Sequence, residues 1–184
     1  MEHRGTVVLE TGRLILRRFC RKDAEKMFLN WASDPRVTEY LTWPAHIDVC
    51  VTRTLLEDWI PRYEQPDYYN WIICLRDSGE PIGNINAFEE RRNWGGLTLG
   101  YCMGVPWWGR GYMPEAVRAV MEFLFREAGV NRIQGDYDTR NPKSGRVMEK
   151  CGMQHEGILR QAGMTNSGPG DIAVCSILRS EYPI

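Results

Sequence analysis

The sequence predicts an α+β fold, and three observations carry that reading. Asn70–Leu75, Ile82–Phe88 and Leu97–Met103 read as strands, with turn signals at Asp77-Ser78-Gly79 and Asn93-Trp94-Gly95-Gly96 between them. A helix with one apolar stripe is predicted over Pro114–Ala128. A strand at Arg132–Tyr137 then makes that helix the middle of a strand-helix-strand unit.

Taken from the start, Arg13–Arg18 (RLILRR) reads as a first strand. Asp23 looks like an N-cap, with Ala24, Met27, Phe28 and Trp31 at helical spacing after it and Asp34-Pro35 ending that helix. Asp48 is placed to cap a second helix, in which Val51, Leu55 and Trp59 share a face and Pro61 marks the stop. In the long helix Val117, Val120, Met121, Leu124, Phe125 and Ala128 form the stripe, Pro114 suits the first helical position and Glu115 complements the positive helix end. Ser144–Cys151 reads as a short helix stopped by Gly152 in left-handed conformation. Strands near His155–Met164 and Ile172–Arg179 finish the chain, with Asn166–Gly170 as the loop of their hairpin.

A chain of 184 residues, 43% hydrophobic and 26% charged, has the composition of one globular domain spanning 1–184. Its net charge of −1 argues against a nucleic-acid partner, so an anionic ligand needs a local device. The six cysteines, at 20, 50, 74, 102, 151 and 175, are scattered, and with only three His they form no metal-ligand spacing. No segment is apolar enough for a signal peptide or a membrane span, and the expectation is a cytoplasmic protein with free thiols and no membrane partner.

The segment richest in chemistry is Gly104–Glu115, GVPWWGRGYMPE. A strand ends, a loop carrying Gly109 and Gly111 follows, and a helix begins, so backbone N–H groups and the positive helix end can converge on a phosphate. A Walker loop is excluded because no G-x-x-x-x-G-K-[ST] string exists, and a Rossmann fingerprint because Pro114 stands where its third glycine belongs. On this loop alone a plain glycine-containing turn competes evenly with a pyrophosphate cradle. Thr139–Ser144 (TRNPKS) follows the next strand; Asn141 offers a donor and an acceptor to peptide-like amides, and Ser144 a hydroxyl. Lys143, Arg146 and Lys150 are candidates for a further phosphate, against the plainer reading of a solvated helix face.

With TGRLILR, LGYCMGVPWWGRGYMPEA, NPKSGRVMEKCGM, EGILR and DIAVCSILRSEY the chain resembles the GNAT acetyltransferases over nearly its whole length, and within them the RimJ/RimL-like N-terminal acetyltransferases of ribosomal proteins. The resemblance implies a central mixed, mostly antiparallel sheet, flanked by helices and splayed where acetyl-CoA lies. The family's [QR]-x-x-G-x-[GA] motif falls on Trp108, Gly109, Arg110, Gly111, Tyr112 and Met113, departing from it at Trp108 and Met113. Pantetheine would pair with backbone groups of Met103 and Val105, Asn141 would meet its amides, and Ser144 would stand near the thiol or the pyrophosphate.

The implied reaction is direct attack of a primary amine on the acetyl thioester, without metal. Where many relatives carry a tyrosine acid on the short helix this chain has Met148, so the role is vacant or passes to Ser144. Thr98 stands where many carry a glutamate base; Glu89 and Glu90 are alternatives, though a solvated hairpin suits both. Trp43 is expected to wall the acceptor pocket; Trp31 and Trp59 read as core, His46 and His155 as surface or satisfied histidines, and Cys102 as a small strand residue. The acceptor is a protein α-amino group or, alternatively, a small antibiotic, polyamine or amino-acid-like amine. Glu39, Glu57, Asp58, Glu64 and Asp67 lie in the acceptor half of the chain. A non-catalytic acyl-CoA-binding module is the remaining reading, and a monomer and a homodimer are equally compatible.

Overall fold

The computed structural model describes residues 1–89 and 96–183, so Glu90 and the turn at Asn93 to Gly95 lie outside the described residues. Among the described residues eight strands form one sheet: β1 (Leu9–Glu10), β2 (Leu14–Arg17), β3 (Tyr69–Leu75), β4 (Pro81–Phe88), β5 (Gly96–Met103), β6 (Arg132–Asp138), β7 (Gln154–Thr165) and β8 (Gly168–Leu178). Their spatial order is β1-β2-β3-β4-β5-β6-β8-β7. Every neighbouring pair is antiparallel except β5 and β6, which run parallel. The exception follows from connectivity, because a helix carries the chain from β5 back across the sheet to the start of β6. This is the α+β mixture that the sequence predicts, with the mixed, mostly antiparallel sheet that the resemblance implies. Strand β1 is the one addition, too short to leave a pattern.

Strand β3 shows how the sheet is covered on both faces. Tyr69, Trp71 and Ile73 enter the core that contains the long helix, whereas Ile72 and Cys74 enter a second cluster under the N-terminal helices. The long helix α4 (Tyr112–Arg126) buries Val117, Val120, Met121, Leu124 and Phe125 completely. Each such apolar side chain contributes about 1.5–3 kcal/mol.

Several boundaries differ from the sequence reading for local physical reasons. The first helix starts as a 3-10 turn at Arg21–Asp23, continues as α1 (Ala24–Met27) and ends in a π turn, Phe28–Ala32. Asp23 is therefore not its N-cap: its carboxylate turns back to the Cys20 N–H at 2.8 Å and to Arg17. Asp34-Pro35 does end that helix, but it also opens α2 (Pro35–Thr38), with Asp34 accepting the Arg36 N–H. In α3 (Val49–Trp59) Asp48 caps as expected. The buried face is one residue off, on Thr52 and Leu56, while Val51 is 42% exposed. Helix α4 begins two residues before Pro114, whose missing N–H costs nothing in a first turn.

The short helix α5 covers Pro142–Lys150, starting before Ser144. Its end is as expected: Gly152 has φ +83°, and Met153 N–H to Met148 O with Gly152 N–H to Glu149 O closes a Schellman motif. The β7–β8 turn is tighter than the predicted loop, with β8 already starting at Gly168. Its tip docks: Asn166 donates to the carbonyls of Thr38 and Trp43, and Ser167 to that of Glu39.

Candidate active site

Parallel pairing of β5 with β6 runs only from Gly96 opposite Arg132 to Leu99 opposite Gly135. Beyond that fork Gly100–Met103 pairs with β4 alone and Asp136–Asp138 with β8 alone. A cavity of about 1020 Å³ opens there, and it brings together Trp43, Asn141 and Ser144. Strand alternation sends Ile85 and Ala87 of β4 into the core and leaves Asn84, Asn86 and Phe88 facing the cavity. Opposite Asn86 stands Gly100, and a Cβ there would lie 2.5 Å from Asn86 Oδ1, so this glycine makes room for the carboxamide. The same oxygen is buried without a hydrogen-bond partner among the described residues.

The cradle residues lie past the cavity, where β5 runs out. Gly104 passes so close to the Asn30 carbonyl that a Cβ would stand 2.3 Å from it. A 3-10 turn, Val105–Trp107, then leads to Trp108, whose indole N–H donates to the Met103 carbonyl at 2.7 Å. Lys143 of α5 lies 4.4 Å from the Trp108 ring centre, linking the two loops. Gly109 and Gly111 have φ +74° and +79°, where L side chains are strained. Among the described residues nothing accepts from the N–H of Gly109, Arg110, Gly111, Tyr112 or Met113. A Cβ added at Gly109 would meet nothing within 4 Å, so the loop has space beside its free donors. Met113 buries its side chain in the core, and its bulk does not intrude on the loop. This geometry fits an anion such as a pyrophosphate. Arg146 is exposed on α5, outside the cavity.

The cradle is held from below by the turn before β2. Arg13 bonds Glu115 and also donates to the Arg110 carbonyl at 3.0 Å, while Thr11 Oγ1 donates to Glu115 at 2.6 Å. Burial alone would raise the Glu115 pKa, but the hydrogen bonds from Thr11 and Arg13 hold it below its ordinary value. Glu115 thus does more than face a helix end.

At the fork Ser144 meets a residue that the sequence reading passed over. Tyr101 Oη donates to the Ser144 carbonyl at 3.0 Å, and Ser144 Oγ donates to Tyr101 Oη at 3.1 Å. Burial pushes the Tyr101 phenol pKa up. Met148 is buried against Gly135 and does not line the cavity. Cys102 donates to Asn84 Oδ1, and burial pushes its thiol pKa up to about 12, so it is no thiolate nucleophile. Thr98 is buried and Glu89 exposed, and neither lines the cavity. His46 bonds Thr52 and packs on Trp43, and desolvation lowers its pKa.

The charges that face the cavity come from β6 and β7, where sequence reading sought none. Glu156 receives both ends of the Arg132 guanidinium at 2.7 Å and the Ser176 hydroxyl at 2.6 Å; these bonds lower its pKa to about 2. Asp138 is paired in the same forked way with Arg140. None of Glu39, Glu57, Asp58, Glu64 and Asp67 lines the cavity. Local patterning could flag Tyr101 only as one residue of an alternating strand; the Arg132–Glu156 pair joins two strands 24 positions apart, whereas Asp138 and Arg140 are two positions apart.

No helix among the described residues is long and apolar enough to cross a membrane. Residues 13–154 match the acetyltransferase (GNAT) domain family. The uncharacterized N-acetyltransferase YoaA of Bacillus subtilis is 31% identical over 172 residues, 94% of this chain and 97% of its own. The Escherichia coli ribosomal protein uS5-alanine N-acetyltransferase is 36% identical over 46% of this chain and 44% of its own. The microcin C7 self-immunity acetyltransferase MccE, solved with acetyl-CoA and AMP, superposes with a TM-score of 0.81 at 19% identity, covering 91% of this chain and 93% of that one. The forked sheet, the cradle and these relatives agree: the chain belongs to the GNAT acetyltransferase family and is an acyltransferase.

Proposed function

We propose that the protein is a cytoplasmic, single-domain enzyme of the RimJ/RimL-like branch that uses acetyl-CoA to acetylate a primary amine, with a protein N-terminal α-amino group as its acceptor. The observation that carries this reading is the run of unpaired amides from Gly109 to Met113 at a helix start beside the fork. In this reading Gly109, Arg110, Gly111, Tyr112 and Met113 hold the pyrophosphate and Arg146 a further phosphate. Met103 and Val105 pair with the pantetheine arm, the Met103 carbonyl keeping one lone pair after Trp108, and Asn141 meets the arm's amides. Ser144 faces the sulfur, Trp43 walls the acceptor pocket, and the acceptor amine attacks the thioester directly.

A small polycationic acceptor calls for unpaired carboxylates. Of the three carboxylates that line the cavity, Asp136, Asp138 and Glu156, the last two are each clasped by an arginine, which supports a peptide-like acceptor. Acetyl-CoA or CoA is expected to raise the melting temperature by mass action on the folded state, far more than ATP or NAD does. Equal stabilisation by all three would overturn the cradle. A thiol-release assay across N-terminal peptides and small amines tests the acceptor: turnover confined to polyamines or antibiotics would reject the peptide reading.

A further inference from the structure

We propose that Tyr101 is a positioning residue for acetyl transfer: its hydroxyl aims the Ser144 hydroxyl and becomes its hydrogen-bond donor when Ser144 turns toward the departing sulfur. The proposal rests on the reading of Ser144 given above.

Tyr101 stands two residues beyond the last pair that β5 makes with β6, inside the wedge between the strands. From there its one hydroxyl makes two bonds to one residue, donating to the Ser144 carbonyl at 3.0 Å and accepting from Ser144 Oγ at 3.1 Å. Each hydroxyl has a single proton, so this arrangement is fully specified. The Tyr101 proton lies on the carbonyl, the Ser144 proton lies on Tyr101, and the lone pairs of Ser144 Oγ are left for other partners.

For Ser144 to donate to sulfur it must withdraw its proton from Tyr101. A serine alone would then lose one bond to make another. Tyr101 removes that loss, because its O–H can swing from the Ser144 carbonyl to Ser144 Oγ. The result is a chain, Tyr101 O–H to Ser144 Oγ–H to sulfur, in which each donor strengthens the next. No proton leaves either residue. The bond from amine nitrogen to carbonyl carbon forms, the carbon–sulfur bond breaks, and sulfur keeps the electron pair. The ammonium proton of the new amide is the one released, through solvent, to the thiolate. The raised phenol pKa suits this role, since a buried phenol that resists ionisation remains a donor throughout.

Tyr101→Phe keeps the ring in the wedge and deletes only the hydroxyl. It is compared with Ser144→Ala and with the double variant, measuring kcat, the KM for acetyl-CoA and the calorimetric Kd for acetyl-CoA. The expected result is a loss of about tenfold in kcat for Tyr101→Phe, the effect of one charge-assisted hydrogen bond, with Kd within about twofold of the parent. The double variant should be no slower than Ser144→Ala, because each hydroxyl acts through the other. Parental kcat in Tyr101→Phe overturns the proposal, as do losses that multiply in the double variant. A rise in Kd with unchanged kcat in Tyr101→Phe also overturns it, since that marks a purely structural role. If Ser144→Ala keeps parental kcat while Tyr101→Phe is slow, the reading of Ser144 is what fails, and the relay fails with it.

Discussion

Arg13 holds Glu115 twice, through its backbone N–H at 3.0 Å to Oε1 and through its guanidinium at 2.6 Å to Oε2. The same guanidinium reaches the Arg110 carbonyl and lies 4.5 Å from the centre of the Tyr112 ring. The turn before β2 thereby fixes the loop that presents the free amides. Arg13→Ala should weaken CoA binding by roughly tenfold, as the loop loses its preorganisation. Calorimetry checks this, and unchanged affinity would show that the loop holds its own shape.

Gly111→Asp should abolish measurable CoA binding while the circular dichroism spectrum stays that of the parent. An added Cβ lies 3.5 Å from the Arg13 guanidinium, so the new carboxylate would compete for Arg13 and bring negative charge to the loop of free amides, where it repels a phosphate. Aspartate tolerates positive φ better than most residues, which favours survival of the fold. Parental affinity in a folded variant would move the cradle elsewhere.

Gly100→Ala tests the acceptor side. Its Cβ would fall 2.5 Å from Asn86 Oδ1, so the carboxamide must swing into the cavity. The expected outcome is a rise of about tenfold in the KM for the amine with the Kd for acetyl-CoA nearly unchanged. A change confined to acetyl-CoA would assign Asn86 to the cofactor half.

Glu156 makes stability depend on acid. Its folded pKa of about 2 lies below the ordinary 4.5. The stability it adds is therefore fully present above the unfolded value and is lost as pH falls through the window between the two. Glu156→Gln should flatten the melting temperature against pH within that window, leaving its shape near neutrality alone. Identical acid profiles for parent and variant would remove Glu156 from the account.

Much of this was legible from the sequence, for a reason visible in particular residues. The stripe Val117, Val120, Met121, Leu124 and Phe125 is local, and so is the left-handed stop at Gly152. Gly109 and Gly111 also declare their backbone conformation by being glycine. Val51 misled because a run of apolar residues does not say which helix face turns inward when Thr52 can be buried instead. Asp23 misled because an aspartate before a helix can cap it or reach back, and Arg17 decided the matter here. The Tyr101–Ser144 pair spans 43 positions and the Arg13–Glu115 pair 102, and contacts at that range have no periodic signature.

The fork after Leu99 and Gly135 turns the middle of the sheet into two inward-facing edges. An edge is ordinarily where a sheet recruits another chain and risks aggregation. Here the two edges face each other across the fork, too divergent to pair, with the β7–β8 tip docked on the segment Thr38–Trp43. In the proposed reading, an extended arm entering the fork would find a strand edge on either side. In deuterium exchange such an arm would read as the insertion of a missing strand, slowing amides on both sides of the gap together.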